Sequence, residues 1–253
     1  MKSFFIYNVL ILSFITAGTS AFDKGIEYYE SRAENAVGFD VKPGPINNAI
    51  ESFKSIYSQK SLEAGIYLMR CYYFKGKFIA KTDEEKKIIF SKGKDLGEEL
   101  IRLHPNSAPA HYWFLVNLGS WAEVYGTLAA AREGVANLMR DHAKKIIALD
   151  SSYSNGGGYF MLGAVHFKAP YIPFILSWPD NKKALEYLSK AYEIGISTPS
   201  QAVYLARSLH KDMQENKAKS ILISLLKQPY SLKERVEDFE QHHIAKSLLE
   251  EWK

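Results

Sequence analysis

Seven histidines, one cysteine and a run of three glycines are the residues of this chain whose chemistry must be read first. The histidines are His104, His111, His142, His166, His210, His242 and His243, and none falls in an HExxH pattern. With Cys71 as the sole cysteine, no multi-thiolate zinc site can be built. Glu240 and His243 have the Glu-x-x-His spacing of bundle di-iron sites. Those sites need a second copy and two more inward carboxylates, and the sequence offers neither. The spacing therefore predicts a solvated face on the last helix. No GxSxG elbow is present. Cys71 sits among Tyr72, Tyr73 and Phe74 and reads as a small buried apolar residue. These residues predict no catalysis, no metal and no cofactor.

The glycines, Gly156 to Gly158, raise the question of a phosphate-binding loop. Such a loop needs a preceding strand, defined glycine spacing and usually a following Gly-Lys-Ser or Gly-Lys-Thr. No strand pattern precedes SNGGGYF, and no lysine-hydroxyl pair follows it. The glycines read instead as a break before a helix that starts near Tyr159.

Aromatic residues are the more suggestive set. Trp113, Trp121, Tyr125, Tyr159, Phe160, Phe167, Tyr171, Phe174 and Trp178 crowd the middle third of the chain, with His166 among them. At helical spacing, Trp113, Val116, Ser120 and Glu123 share one face, followed by Phe160, Ala164 and Phe167, and then by Val203, Arg207 and His210. A candidate groove for a ligand or partner is therefore Trp113, Asn117, Trp121, Phe160, Phe167, Trp178 and Arg207. The competing reading places the same rings in the core between helices.

The elements that position these residues are helices. Apolar residues recur at steps of three and four from Asp23 onward, and strand-like alternation is nearly absent. Thr82 with Glu85, Ser231 with Glu234, and Thr198-Pro199 with Gln201 have helix-start spacing. Breakers fall at 42–45, 104–109, 151–158 and 198–200.

The helices pair into hairpins. Ala202, Leu205, Ala206 and Leu209 face Ala218, Leu222 and Leu225, an alternation of large and small residues that matches the tetratricopeptide repeat of about 34 residues. Leu162-Gly163 with Ala184, Leu188 and Ala191 repeats the pattern, interrupted by a proline-containing insert from Ala169 to Trp178. Leu118-Gly119 with Ile146, Leu149 and Asp150 forms a third copy. Degenerate copies are read at 46–76 and 85–105, giving four to five hairpins. The predicted fold is all-α, a tetratricopeptide-like α-solenoid over residues 22–253.

Residues 1–21 read as a secretory signal peptide. An early lysine, a short apolar run from Phe4 to about Thr16, and small residues Thr19 and Ala21 before the junction carry that reading. The run is too short to span a bilayer, and no cysteine at the junction could take a lipid. The formal net charge of +4 falls by one without the leader. Without a basic run it does not point to nucleic acid. The mature chain is expected in the periplasm and not across the membrane.

Two stretches, AHYWFLVNLGSWAEVYG (110–126) and the block HAKKIIALDSSYSNGGGYFMLGAVHFKAPYIPFILSWPDNKKALEYLSKAYE (142–193), carry a more specific signal. Ala-Leu-Asp, Gly-Gly, Leu-Gly, Lys-Ala-Pro, a proline-containing insert and a Lys-Ala-Leu-x-x-Leu helix follow in order. This pattern resembles the T-component family of TRAP transporters. The resemblance implies a periplasmic hairpin-repeat protein without catalysis that pairs with a solute-binding protein and assembles as a homotrimer. A small apolar or organic-acid ligand is expected in the groove. A general cell-envelope scaffold that binds peptides or proteins, and an uncharacterised enzyme, are the alternatives.

Overall fold

The computed structural model describes residues 21–57, 61–174 and 176–253. The signal-peptide reading therefore lies outside the described residues except at Ala21. A helix over residues 21–30, α1, opens the described chain. It is followed by α2 (Pro43–Tyr57), α3 (Leu62–Phe74) and a π-helical turn (Lys75–Ile79). Next come α4 (Asp83–Leu103), α5 (Ala108–Tyr125), the short α6 (Thr127–Arg132) and α7 (Val135–Leu149). The chain continues through α8 (Tyr153–Lys168), α9 (Asn181–Glu193), α10 (Pro199–Lys211) and α11 (Glu215–Leu226), and ends in α12 (Arg235–Glu251). Among the described residues no strand forms, and only the isolated bridges Val37–Asp40 and Ile172–Leu176 interrupt the helical pattern. None of these helices is long and apolar enough to cross a membrane.

Several helix starts follow directly from local chemistry. Thr82 and Glu85 form a reciprocal capping box at α4, and Thr198 and Gln201 do so at α10 behind Pro199. Ser231 behaves differently. Its hydroxyl accepts from the backbone of Lys233 and Glu234, yet α12 starts only at Arg235. Asp238 takes the backbone N–H of Ser231 instead, so the serine closes a turn ahead of the helix.

Helices α3, α5, α8 and α10 pack against one another in succession. The alternating set α2, α4, α7, α9 and α11 makes little or no contact within itself. A stack whose one layer is closer together than the other must curve, with the tighter layer inside. The inner helices therefore line a concave face. The hairpins are α1/α2, α3/α4, α5/α7, α8/α9 and α10/α11. This register corrects the reading of the first copies: 46–76 joins an outer helix to the next inner one, and 85–105 is mostly the single helix α4.

Close packing at the paired helices explains the small residues. A Cβ on Gly163 would stand 2.6 Å from Leu188 Cγ and 3.0 Å from its backbone nitrogen, so α8 and α9 meet there through glycine alone. The three glycines also have a packing role. The break lies earlier, at Ser154, Asn155 and Gly156, all in the left-handed region, with φ of 52°, 55° and 77°. Gly157 and Gly158 already belong to the helix, pressed against Tyr112 and Ile147, so the helix does not wait for Tyr159. Gln201 Nε2 donates to the Asn155 carbonyl at 2.7 Å and ties this turn to α10.

The last helix spans the two ends of the stack. Its first half joins the N-terminal core: Val236 is fully buried there with Tyr29, Phe53 and Phe74. Its second half joins the C-terminal core through Ala245 and Trp252, and Trp252 stacks on His210 of α10 with ring centroids 4.0 Å apart. Phe22 of α1 meets Phe53 and Tyr67 edge-on, so the ordered core includes the first residue after the expected leader.

Candidate functional site

The concave face is built from side chains that touch from one inner helix to the next. Tyr29 of α1 meets Tyr67 of α3 edge-on at 5.7 Å. The Arg70 guanidinium lies 4.6 Å from the Tyr29 ring, 4.8 Å from Tyr67 and 5.2 Å from Trp113 of α5. Tyr112 of α5 meets Tyr153 of α8 at 5.5 Å. Further along, Lys168 of α8 pairs with Glu123 of α5. Lys168 also stands 5.7 Å over Tyr204 of α10. Phe160 and Phe167 both pack on Tyr204, while Arg207 and Lys211 stand 5.2 and 5.4 Å over Phe167. The result is a ladder of aromatic rings with cations over their faces, the arrangement the ring quadrupole favours.

Of the groove residues expected from sequence, this face brings together Trp113, Phe160, Phe167 and Arg207, each half-buried. Asn117 is fully buried. Its amide donates to the Met69 and Trp113 carbonyls at 3.1 and 2.9 Å, and a Cβ on Gly93 of α4 would run into it. Asn117 therefore locks α3, α4 and α5 together and does not face the groove. Trp121 is also interior: it stacks on Tyr125 at 4.3 Å with Lys94 of α4 over it. Trp178 sits away from the face. Its indole N–H donates to Asn137 of α7 at 3.0 Å and Arg140 covers its ring, so it pins the insert to the outer layer. Ala164 and Val203, expected to face the groove, are buried in the core.

Sequence reasoning missed Arg70, Tyr204 and Lys211. Their signal was positional: they occupy inner helices one turn from residues already singled out. It also misread α12. His243 is exposed as expected, whereas Glu240 pairs with Lys77 at 2.9 Å. Three residues earlier, Glu237 Oε1 accepts from Arg32 Nη2 at 2.8 Å and Nε at 3.2 Å, with Arg32 only 3% exposed. Burial pushes the Glu237 carboxyl up despite its arginine. Burial, followed by the carboxylates of Glu240 and Glu237, also holds the Tyr73 hydroxyl well above its ordinary range.

A pair of histidines joins α5 to α7. His111 Nε2 lies 3.0 Å from the Pro105 carbonyl, which can only accept, so this nitrogen carries the proton. The bare His111 Nδ1 then accepts a hydrogen bond from the His142 Nδ1–H at 2.7 Å. Burial, then the neighbouring His111, pushes His142 down to about 4. Burial likewise pushes the Cys71 thiol far up, in keeping with its completely buried position. Among the described residues, no group of three or more His, Cys, Asp or Glu side chains could hold a metal ion.

A curved stack of antiparallel helix pairs with an aromatic concave face defines a tetratricopeptide-like helical scaffold. Residues 39–175 match the family model described as regulator of microtubule dynamics protein 1-3, and the chain belongs to that family. The crystal structure of TTC0263, a thermophilic TPR protein in Thermus thermophilus, superposes with a TM-score of 0.61 at 14% identity, covering 92% of this chain and 99% of that one. It shares the fold. The crystal structure of MamA matches at a TM-score of 0.42 and 15% identity, covering 82% of this chain and 92% of that one. No protein of curated function matches the sequence.

Proposed function

We propose that this protein is a non-catalytic helical scaffold that holds a protein partner on its concave face. The observation that carries the reading is the aromatic-cation ladder on the inner helices, from Arg70 and Trp113 to Phe167 and Arg207. Rigid rings supply large contact area with few rotatable bonds, and aromatic residues and arginine are enriched among the residues that dominate interface energies. The finer proposal is an exported accessory of a TRAP-type solute uptake system that binds the solute-binding protein and a small apolar or organic-acid ligand. The order of motifs over residues 110–193 supports it, as does the leader pattern of residues 1–21. A homotrimer belongs to the same proposal. A second reading is regulation of microtubule dynamics, supported by the family membership over residues 39–175.

Two binding assays on the purified chain separate these readings. The transport reading expects capture of a purified TRAP-type solute-binding protein, and N-terminal sequencing of exported protein to begin at or near Phe22. The second reading expects co-sedimentation with polymerised microtubules and a retained N-terminus. Capture of neither, by a folded chain, would contradict both.

A further inference from the structure

The start of α12 packs against the α1–α3 end of the stack, and the groups that hold it show how this chain pairs with an acidic segment. Glu234, Glu237 and Glu240 recur every third residue, an acidic stripe that begins at the N-cap, Glu234, and runs into the first turns of α12. Glu237 is forked by Arg32 and Glu240 is paired with Lys77. Val236, between Glu234 and Glu237, is fully buried in the core that contains Phe74 of α3. The acidic start of α12 is thus held at the α1–α3 end through Lys77 and through Arg32, which also lies against the Tyr29 and Phe74 rings.

At the α8–α10 end the second half of α12 packs on α10 through Trp252 and His210, and a second set of cations stands over aromatic rings. Lys168, Arg207 and Lys211 stand over Tyr204 and Phe167 just as Arg32 stands over Tyr29 and Phe74. Lys168 is matched by Glu123. Among the described residues, no ion pair joins Arg207 or Lys211 to a carboxylate. Both project beside a half-buried ring, with Lys211 exposed.

Resting on the scaffold reading, we propose that this end of the concave face, formed by Phe167, Lys168, Tyr204, Arg207 and Lys211, is the docking site for an acidic helical segment of a protein partner. Its carboxylates pair with Arg207 and Lys211, and its apolar side chains lie on Phe167 and Tyr204. The groove is then charge-selective: the start of α12 pairs with cations at the α1–α3 end, and the partner's acidic segment pairs with those at the other. Complementary charge of this kind sets register and rejects basic partners.

The probe is a fluorescein-labelled peptide of residues 231–243, SLKERVEDFEQHH, with a second version carrying Gln in place of the three stripe glutamates. Fluorescence anisotropy with the full chain at low salt is expected to show binding of the acidic peptide that weakens as salt is added. The Gln version and the variant Arg207→Glu with Lys211→Glu are each expected to bind about tenfold more weakly or worse. Lys144→Glu with Lys182→Glu, exposed on the outer helices α7 and α9, should leave binding unchanged. The helical circular dichroism of both charge variants should match wild type, since none of the four residues is buried. Equal loss in the outer-face variant, equal affinity for the Gln peptide, or no peptide binding would overturn the proposal. So would binding of anionic phosphatidylglycerol vesicles in place of the peptide. Capture of a partner by the scaffold has its own readout, so failure of the peptide assay alone overturns the acidic-segment proposal and leaves the scaffold reading standing.

Discussion

Gly163 and His142 show how much of this fold turns on single side chains. At Gly163, α8 and α9 approach until only hydrogen fits against Leu188. Gly163→Leu should lower stability by about 1–3 kcal/mol through overpacking. Lys183→Ala, on the exposed side of α9, should leave the urea midpoint nearly unchanged because its pair with Glu186 is solvated. Urea melts of the two variants read the difference directly. The His111–His142 pair predicts a pH dependence. His142 is held at about 4 in the fold, against an ordinary 6.5. Between those values the unfolded chain binds the proton and the folded chain does not, so stability is full above about 6.5 and is lost as pH falls toward 4. Thermal melts across that range should show the loss, and His142→Gln should reduce it, leaving the share of His111, which burial also holds below its ordinary value. The glycine was legible in the sequence because Leu-Gly recurs at the same place in two hairpins. The histidine pair was not, because thirty-one positions separate partners that only the packing of α5 on α7 brings together.

Among the elements, α12 has the most to say. It is the one helix whose contacts join the first hairpin to the last, with a polar first half and an apolar second half. Breaking its buried ion pair by Arg32→Ala leaves Glu237 without its cation and should destabilise the protein by about 3 kcal/mol. Lys77→Ala removes a pair whose lysine stays partly exposed and should have an effect of about 0.5 kcal/mol. Denaturant titrations of the two variants check this ranking, and equal losses would mean that α12 is not held chiefly through Arg32. The helices, the caps at Thr82 and Thr198, and the late hairpins were readable because they rest on spacing along the chain. The placement of α12 was not, since its acidic stripe is equally compatible with a solvated surface until the cations facing it are known. The groove was half legible for the same reason. Trp113, Phe160, Phe167 and Arg207 project from inner helices, whereas Asn117 and Trp121, on the same helix as Trp113, turn toward α4. Helical spacing alone does not tell which face of α5 meets its neighbour.

At the scale of the whole molecule, the curved stack leaves two features facing outward: the concave ladder and the tip of the insert. At that tip Phe174 is fully exposed, with φ of 64°, and Tyr171 beside it is largely exposed. Exposed aromatics on a charge-free segment are costly in water unless a neighbour covers them. If subunits associate there, Ile172→Asp with Phe174→Asp should lower the mass found by light scattering; a wild-type chain that is already monomeric would rule this out.

The central claim is that the concave face, and not the outer layer, holds the partner. Binding of whichever partner is captured should be measured for two variants of the full chain with intact helical circular dichroism. One is Phe167→Ala with Arg207→Glu on the inner helices, and the other is Ile88→Ala with Ile223→Ala on exposed positions of α4 and α11. The account predicts that the first loses binding about tenfold or more and the second retains it. Loss in the outer variant with retention in the inner one would contradict it.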